Sequence, residues 1–190
     1  MRGTKIGFDE PAEVHDGVLL PRMPDYLGIV ETIDVWEPLP VVKGSNRLRI
    51  TATPGNHGPG ILGKLLPPVM GSVLEFYSAE ETPEFRLYIS GDTLVYDKIR
   101  EIPKHFPDLD LALLDLGGTM AFFVMVTMDG KQGVEMMRIV NPRKAIPIPY
   151  YDYTMFKSPI EDFKREVDAA GLTKQVHYLA HGEEYRLRMR

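Results

Sequence analysis

From Phe85 onward the hydrophobic period switches repeatedly between two and about 3.6, and this constrains the fold more than any other feature of the chain. Phe85-Arg86-Leu87-Tyr88-Ile89-Ser90 alternates as a half-buried strand does. The spacing of apolar residues then predicts a short helix over 96–104, with Thr93 able to cap it and Pro103 and Pro107 limiting its length. Leu111-Ala112-Leu113-Leu114 is a continuous apolar run, the mark of a strand buried on both faces. Asp129, with Gln132 three residues on, predicts a capped helix that turns Val134, Met137 and Val140 inward. Ala145-Ile146-Pro147-Ile148 reads as a strand whose proline belongs at an edge or a strand end. A helix follows with Ser158 as N-cap, Pro159 in first place, Glu161 closing a capping box and Gly171 ending it. Residues 175–180 read as a last strand. Strands alternating with helices in this way imply parallel strands joined by helical crossovers, an α/β fold.

Upstream, Leu48 to Thr53 and Val73 to Tyr77 are further strands, and the 80–84 region suits a hairpin turn into the Phe85 strand. Residues 1–45 carry Pro11, Pro21, Pro24, Pro38 and Pro40, which argues against long helices there. The organisation expected is therefore an N-terminal portion, 1–45, and an α/β portion, 46–190. No internal repeat is present.

Composition narrows the function classes. With 44% hydrophobic and 26% charged residues the chain has the make-up of a globular protein. Its net charge of −5 is spread without a basic stripe, which argues against a nucleic-acid surface. The absence of cysteine removes disulfides, thiolate nucleophiles and Cys-ligated zinc. The longest apolar stretch, Met120 to Met128, falls short of the roughly 20 residues a membrane span needs. No signal-peptide pattern opens the chain, so the cytoplasm is the expected compartment.

Chemistry is expected where α/β sheets place it, beyond the carboxyl ends of the strands. Thr53-Pro54-Gly55-Asn56-His57-Gly58 follows the first of these strands and Ser90-Gly91-Asp92-Thr93 the third. Asp115-Leu116-Gly117-Gly118-Thr119 follows the fourth, and His181-Gly182-Glu183-Glu184 the last. Imidazoles and carboxylates at one rim suit zinc, manganese or iron. Each residue alone has a plainer reading. His57 can be a turn residue, Asp92 and Asp115 local caps, His181 a surface imidazole, and Tyr150, Tyr151 and Tyr153 core-rim residues.

Taken in order, five elements carry a resemblance. They are Thr-Pro-Gly-Asn-His-Gly, Leu-Tyr-Ile-Ser-Gly-Asp-Thr, Leu-Leu-Asp-Leu-Gly-Gly-Thr, Val-Thr-Met-Asp and Phe-Lys-Ser-Pro. Over roughly residues 45–185 the chain resembles the later half of a metallo-β-lactamase-fold hydrolase of the lactonase-like branch. That branch includes L-ascorbate-6-phosphate lactonases and the phospholipase D acting on N-acyl-phosphatidylethanolamine. The resemblance implies an αββα sandwich with an incomplete N-terminal half. It also implies a metal-bound hydroxide that hydrolyses an ester, lactone or phosphodiester. His57 matches a metal-ligating histidine of that family and Asp92 its bridging aspartate, which makes Asp92 the catalytic candidate.

Other family ligands have no counterpart. None of His15, His57, His105, His177 and His181 opens a His-x-His-x-Asp-His run, and Pro149 stands where relatives carry a final histidine. Phe8-Asp9-Glu10 resembles the segment just after the first histidine motif. His181 is then a candidate replacement ligand, with Asp115, Tyr150 and Tyr153 lining the substrate pocket. Two readings result. One is an impaired metal-dependent hydrolase of a small molecule, bound as a homo-oligomer through its uncovered sheet. The other is a metal-free relative acting by association or as a binding module.

Overall fold

The computed structural model describes residues 13–15, 18–20, 33–60, 63, 66–78, 80–121, 124–148 and 158–186. The chain divides into two compact units, Met1–Thr32 and Ile33–Arg190. In the first, strands β1 (Glu13–His15) and β2 (Val18–Leu20) pair antiparallel, with Val14 opposite Leu19.

The second unit is built on a six-stranded sheet. Its strands are β3 (Pro38–Lys43), β4 (Asn46–Pro54), β5 (Met70–Tyr77), β6 (Phe85–Ile89), β7 (Leu111–Asp115) and, after a short hairpin of β8 (Met120–Ala121) and β9 (Val124–Met125), β10 (Lys144–Ile148). Their spatial order is β10-β7-β6-β5-β4-β3. The β3–β6 part is antiparallel, whereas β6, β7 and β10 are parallel, as the helical crossovers between them require. The fold is thus α/β with a mixed sheet.

Both edges of the sheet depend on proline. Backbone groups of alternate residues in a strand point the same way. The Glu37 carbonyl faces inward and accepts from the Ala52 N–H at 3.4 Å, so Pro38 and Pro40 face outward. Two donors are thereby missing from the free edge of β3, which discourages pairing with another strand. At the opposite edge the Ile148 carbonyl faces inward to the Leu116 N–H (2.6 Å), so Pro147 faces out. The edge expected for Pro147 is where it lies. Beyond it the strand expected over 175–180 shrinks to one bridge, Val176 beside Ala145, with the His177 N–H bonded to the Ala145 carbonyl at 2.9 Å.

Helices cover one face. A 3₁₀ turn, Asp97–Glu101, runs into the four-residue α1 (Ile102–His105). The longer α2 (Gly130–Val140) and α3 (Ile160–Ala170) follow. They close over Val73, Tyr88, Ala112, Leu114 and Ala145 of the sheet, burying Met136, Met137, Phe163 and Val167. Glycine sets the spacing between α2 and α3. A Cβ on Gly130 would lie 2.7 Å from the Phe163 backbone nitrogen, so only glycine lets the two backbones approach this closely. On the other face Phe85, Leu111 and Ile146 form a smaller cluster against which Leu179 and Tyr185 pack.

Three capping expectations are corrected. Asp129 does cap α2, accepting from the Gln132 N–H at 2.9 Å, but Gln132 turns its side-chain oxygen to the Val95 N–H instead of closing the box. The cap of α3 is Pro159, without any side-chain hydrogen bond. Ser158 is pulled away from that role because its Oγ accepts from the Gly130 N–H at the start of α2 (3.3 Å). Thr93 caps no helix either; Tyr96 precedes the 3₁₀ turn. Gly171 ends α3 at φ 71°, the left-handed conformation expected of it. No helix among the described residues is long and apolar enough to cross a membrane.

Candidate functional site

Strand direction decides which loops meet. Both β4 and β6 are antiparallel to β5, and β7 and β10 are parallel to β6. The carboxyl ends of β4, β6, β7 and β10 therefore share one rim. The His57 loop leaves β4 there, the Asp92 loop leaves β6, and Asp115 is the last residue of β7.

The rim needs residues without side-chain bulk. Gly91 has φ +61°, and a Cβ on it would lie 2.4 Å from the Met70 carbonyl oxygen. The tight turn that presents Asp92 is open only to glycine. Just beneath, the Thr53 hydroxyl is buried against the Tyr88 side chain. It sits 2.6 Å from where a Cβ on Gly71 would be.

Within the rim His57 and Asp92 touch: the imidazole Nδ1 lies 3.1 Å from the Asp92 main-chain carbonyl oxygen. A carbonyl oxygen only accepts, so this contact is a hydrogen bond when the ring hydrogen sits on Nδ1. That leaves the Nε2 lone pair for another partner. Asp115 joins through its carboxyl, which is pushed up to about 7 chiefly by burial, then by the Asp92 charge and by a hydrogen bond with Asp92. Two carboxyls in hydrogen-bond contact resist both being ionised, which is why the Asp92 charge adds to the upward push on Asp115. Among the described residues neither carboxylate is in an ion pair.

Three of the residues singled out in the sequence, His57, Asp92 and Asp115, are thus brought together from two loops and the end of β7. His181 lies in an exposed turn closed by hydrogen bonds between Ala180 and Glu183 (2.9 and 3.0 Å). Among the described residues no three His, Asp or Glu side chains are grouped to hold a metal ion, so His181 does not complete a set with His57 and Asp92. Tyr150 and Tyr153, with Tyr151 and Pro149, lie outside the described residues.

Other residues of the site were not singled out. Ser90 Oγ accepts from the Asp115 N–H at 2.8 Å and donates to the Gly91 carbonyl at 3.1 Å, tying the ends of β6 and β7. Thr93 Oγ1 accepts from the Asn56 N–H at 2.8 Å, tying the Asp92 loop to the His57 loop. Their signal was available in Ser-Gly-Asp-Thr, where two hydroxyls flank the aspartate.

The donors suit a catalytic metal in kind, a neutral imidazole nitrogen and a carboxylate, but not in number. A catalytic zinc takes three protein ligands plus water.

A family model for the beta-lactamase superfamily domain matches residues 18–150. A metal-dependent hydrolase of Pyrobaculum islandicum is 30% identical over 56% of this chain and 44% of its own length. One from Rubrobacter xylanophilus is 29% identical over 75% of this chain and 53% of its own. The chain spans about half the length of these curated relatives. Among solved structures, an isothiocyanate hydrolase from Delia radicum gut bacteria superposes with TM-score 0.62 at 18% identity, over 76% of this chain and 55% of that one. A metallo hydrolase of the archaeon Ignicoccus hospitalis does so with TM-score 0.57 at 20% identity, over 85% and 64%. The structures share the fold, the sequence relatives are named as metal-dependent hydrolases, and the family match extends over more than half of the sequence; the chain belongs to the β-lactamase superfamily.

Proposed function

We propose that this chain carries part of the active site of a metal-dependent hydrolase, with His57 Nε2 and the Asp92 carboxylate as two of the metal donors. The observation that carries this reading is the contact between His57 and Asp92, which joins two loops 35 residues apart at the rim where α/β sheets hold their ligands. A metal held there would supply Lewis acidity and acidify a bound water to roughly pKa 7. The substrate class is an ester, lactone or phosphodiester, each with an electrophilic carbonyl or phosphorus centre.

The protein's own groups have separate tasks. Asp92 would hold the metal through its carboxylate. Asp115, hydrogen-bonded to Asp92, would orient that carboxylate toward the metal. Gly91, Gly117 and Gly118 supply the positive φ that the turns at this rim require.

The test is equilibrium dialysis of the full chain against zinc and manganese, followed by metal analysis by mass spectrometry, beside His57→Ala and Asp92→Ala. The wild type should retain metal, and each substitution should lower retention at least about tenfold, as loss of one of few donors requires. A folded wild type that retains no more metal than either variant would overturn the assignment.

A further inference from the structure

The His57 loop and the Asp92 loop are separated by 35 residues of sequence, yet they are joined at more than one point. The Asn56 N–H donates to Thr93 Oγ1 at 2.8 Å, and the Leu94 N–H donates to the Asn56 carbonyl at 2.9 Å. Asn56 is thus held on both its backbone groups, immediately before His57. On the other side, the Thr93 N–H donates to the Gly91 carbonyl at 2.8 Å, closing a three-residue turn with Asp92 at its apex. The Thr93 hydroxyl also donates to the Leu94 carbonyl at 3.0 Å, so its donor and an acceptor site are both in use. Its side chain is completely buried.

We infer that Thr93 is a positioning residue: through Asn56 it sets the distance between the His57 ring and the Asp92 carbonyl, and so selects which imidazole nitrogen faces the site. The chain of cause has three links. The hydroxyl fixes the Asn56 backbone. That backbone fixes where the His57 ring begins. The ring then meets the Asp92 carbonyl at 3.1 Å with Nδ1, which keeps the hydrogen on Nδ1 and the lone pair on Nε2. Without the hydroxyl the Asn56 N–H, half-buried, has lost its acceptor, and the loop must shift to recover one. Serine retains the oxygen; valine keeps the shape of threonine and removes it.

This inference rests on the proposed metal site for its consequence but not for its test, because the tautomer can be read without metal. The experiment is long-range ¹H–¹⁵N correlation of the histidine rings in metal-free full-length protein at about pH 8, where an ordinary imidazole is neutral. The resonances are assigned with His57→Ala. Wild type should show His57 predominantly as the Nδ1–H tautomer, and Thr93→Ser should match it. Thr93→Val should move His57 to a mixture of tautomers and speed exchange of the Asn56 amide by at least about tenfold while the melting transition stays cooperative.

A folded Thr93→Val with the wild-type tautomer and unchanged Asn56 exchange would overturn the inference. Should Thr93→Val not fold, the wild type decides: His57 found as the Nε2–H tautomer, or an Asn56 amide exchanging as fast as an exposed one, defeats the mechanism. A positive tautomer result together with no metal retention would instead sink the metal assignment and leave the positioning role standing.

Discussion

The two ends of one sheet treat their carboxylates in opposite ways, buried and paired at one end, half-buried to exposed and facing each other at the other. Toward the end away from the rim, Glu75 is almost wholly buried and bound by two guanidiniums, Arg49 at 2.5 Å and Arg86 at 3.1 Å. Asp110, also buried, takes Arg143 at 2.8 Å and the Arg86 backbone N–H at 2.9 Å. Both buried carboxylates there meet guanidiniums. At the rim, Asp92 and Asp115 face each other, and among the described residues no cation is paired with them. One end has satisfied its electrostatics for stability, whereas the other has left like charges in contact. A carboxyl pair of that kind is unfavourable unless a proton or a cation joins it, which is why perturbed groups in clefts mark functional sites.

If that contrast is right, breaking the satisfied end should harm the fold most. Replacing Arg86 by methionine leaves the buried Glu75 with one partner and removes the bond to the Pro107 carbonyl. Urea unfolding should show a loss of about 3 kcal/mol, the scale for stranding a buried charge. A loss of a few tenths would mean that the two ends are not different in kind.

The same contrast predicts a gain at the rim. The folded pKa of Asp115, about 7, lies above its ordinary value of 3.8, so the folded state holds its proton more tightly than the unfolded chain does. The resulting stabilisation is complete at pH below about 4 and is lost as pH rises through 7. Asp115→Asn removes this dependence while keeping a hydrogen-bond donor toward Asp92. In metal-free protein with chelator, the variant should be more stable than wild type at pH 8 by roughly 1–2 kcal/mol after discounting for solvent screening. The difference should fade toward pH 5. A variant no more stable at pH 8 would show that the carboxyl pair is not strained. The smallest effect belongs to Ser90→Ala, which takes the acceptor from the Asp115 N–H. It should cost about 1 kcal/mol by thermal unfolding, the net worth of one hydrogen bond.

Much of this molecule was legible in the chain because the deciding interactions are short in sequence. The Phe85 strand, the Leu111 strand, the Asp129 cap and the Gly171 stop rest on periodicity or on contacts within one turn. The errors share a cause. Ser158 and Thr93 both stand where a hydroxyl commonly caps a helix, and both send that hydroxyl elsewhere, to Gly130 across 28 residues and to Asn56 across 37. The expected strand over 175–180 has the right composition, but only Val176 finds a partner at the sheet edge. The short strand β3 was hidden by its prolines, which read as loop until the sheet shows that they face its free edge.

The sequence by itself therefore determined the α/β class, the polar loops and the donors they carry, since strand ends and glycine turns are written locally. Only the tertiary structure decided that His57 meets the Asp92 carbonyl, that Asp115 is hydrogen-bonded to Asp92, and that among the described residues His181 does not join them in a three-donor set. Those outcomes depend on strand order and loop closure, and no short-range preference in a chain encodes which distant loops will be neighbours.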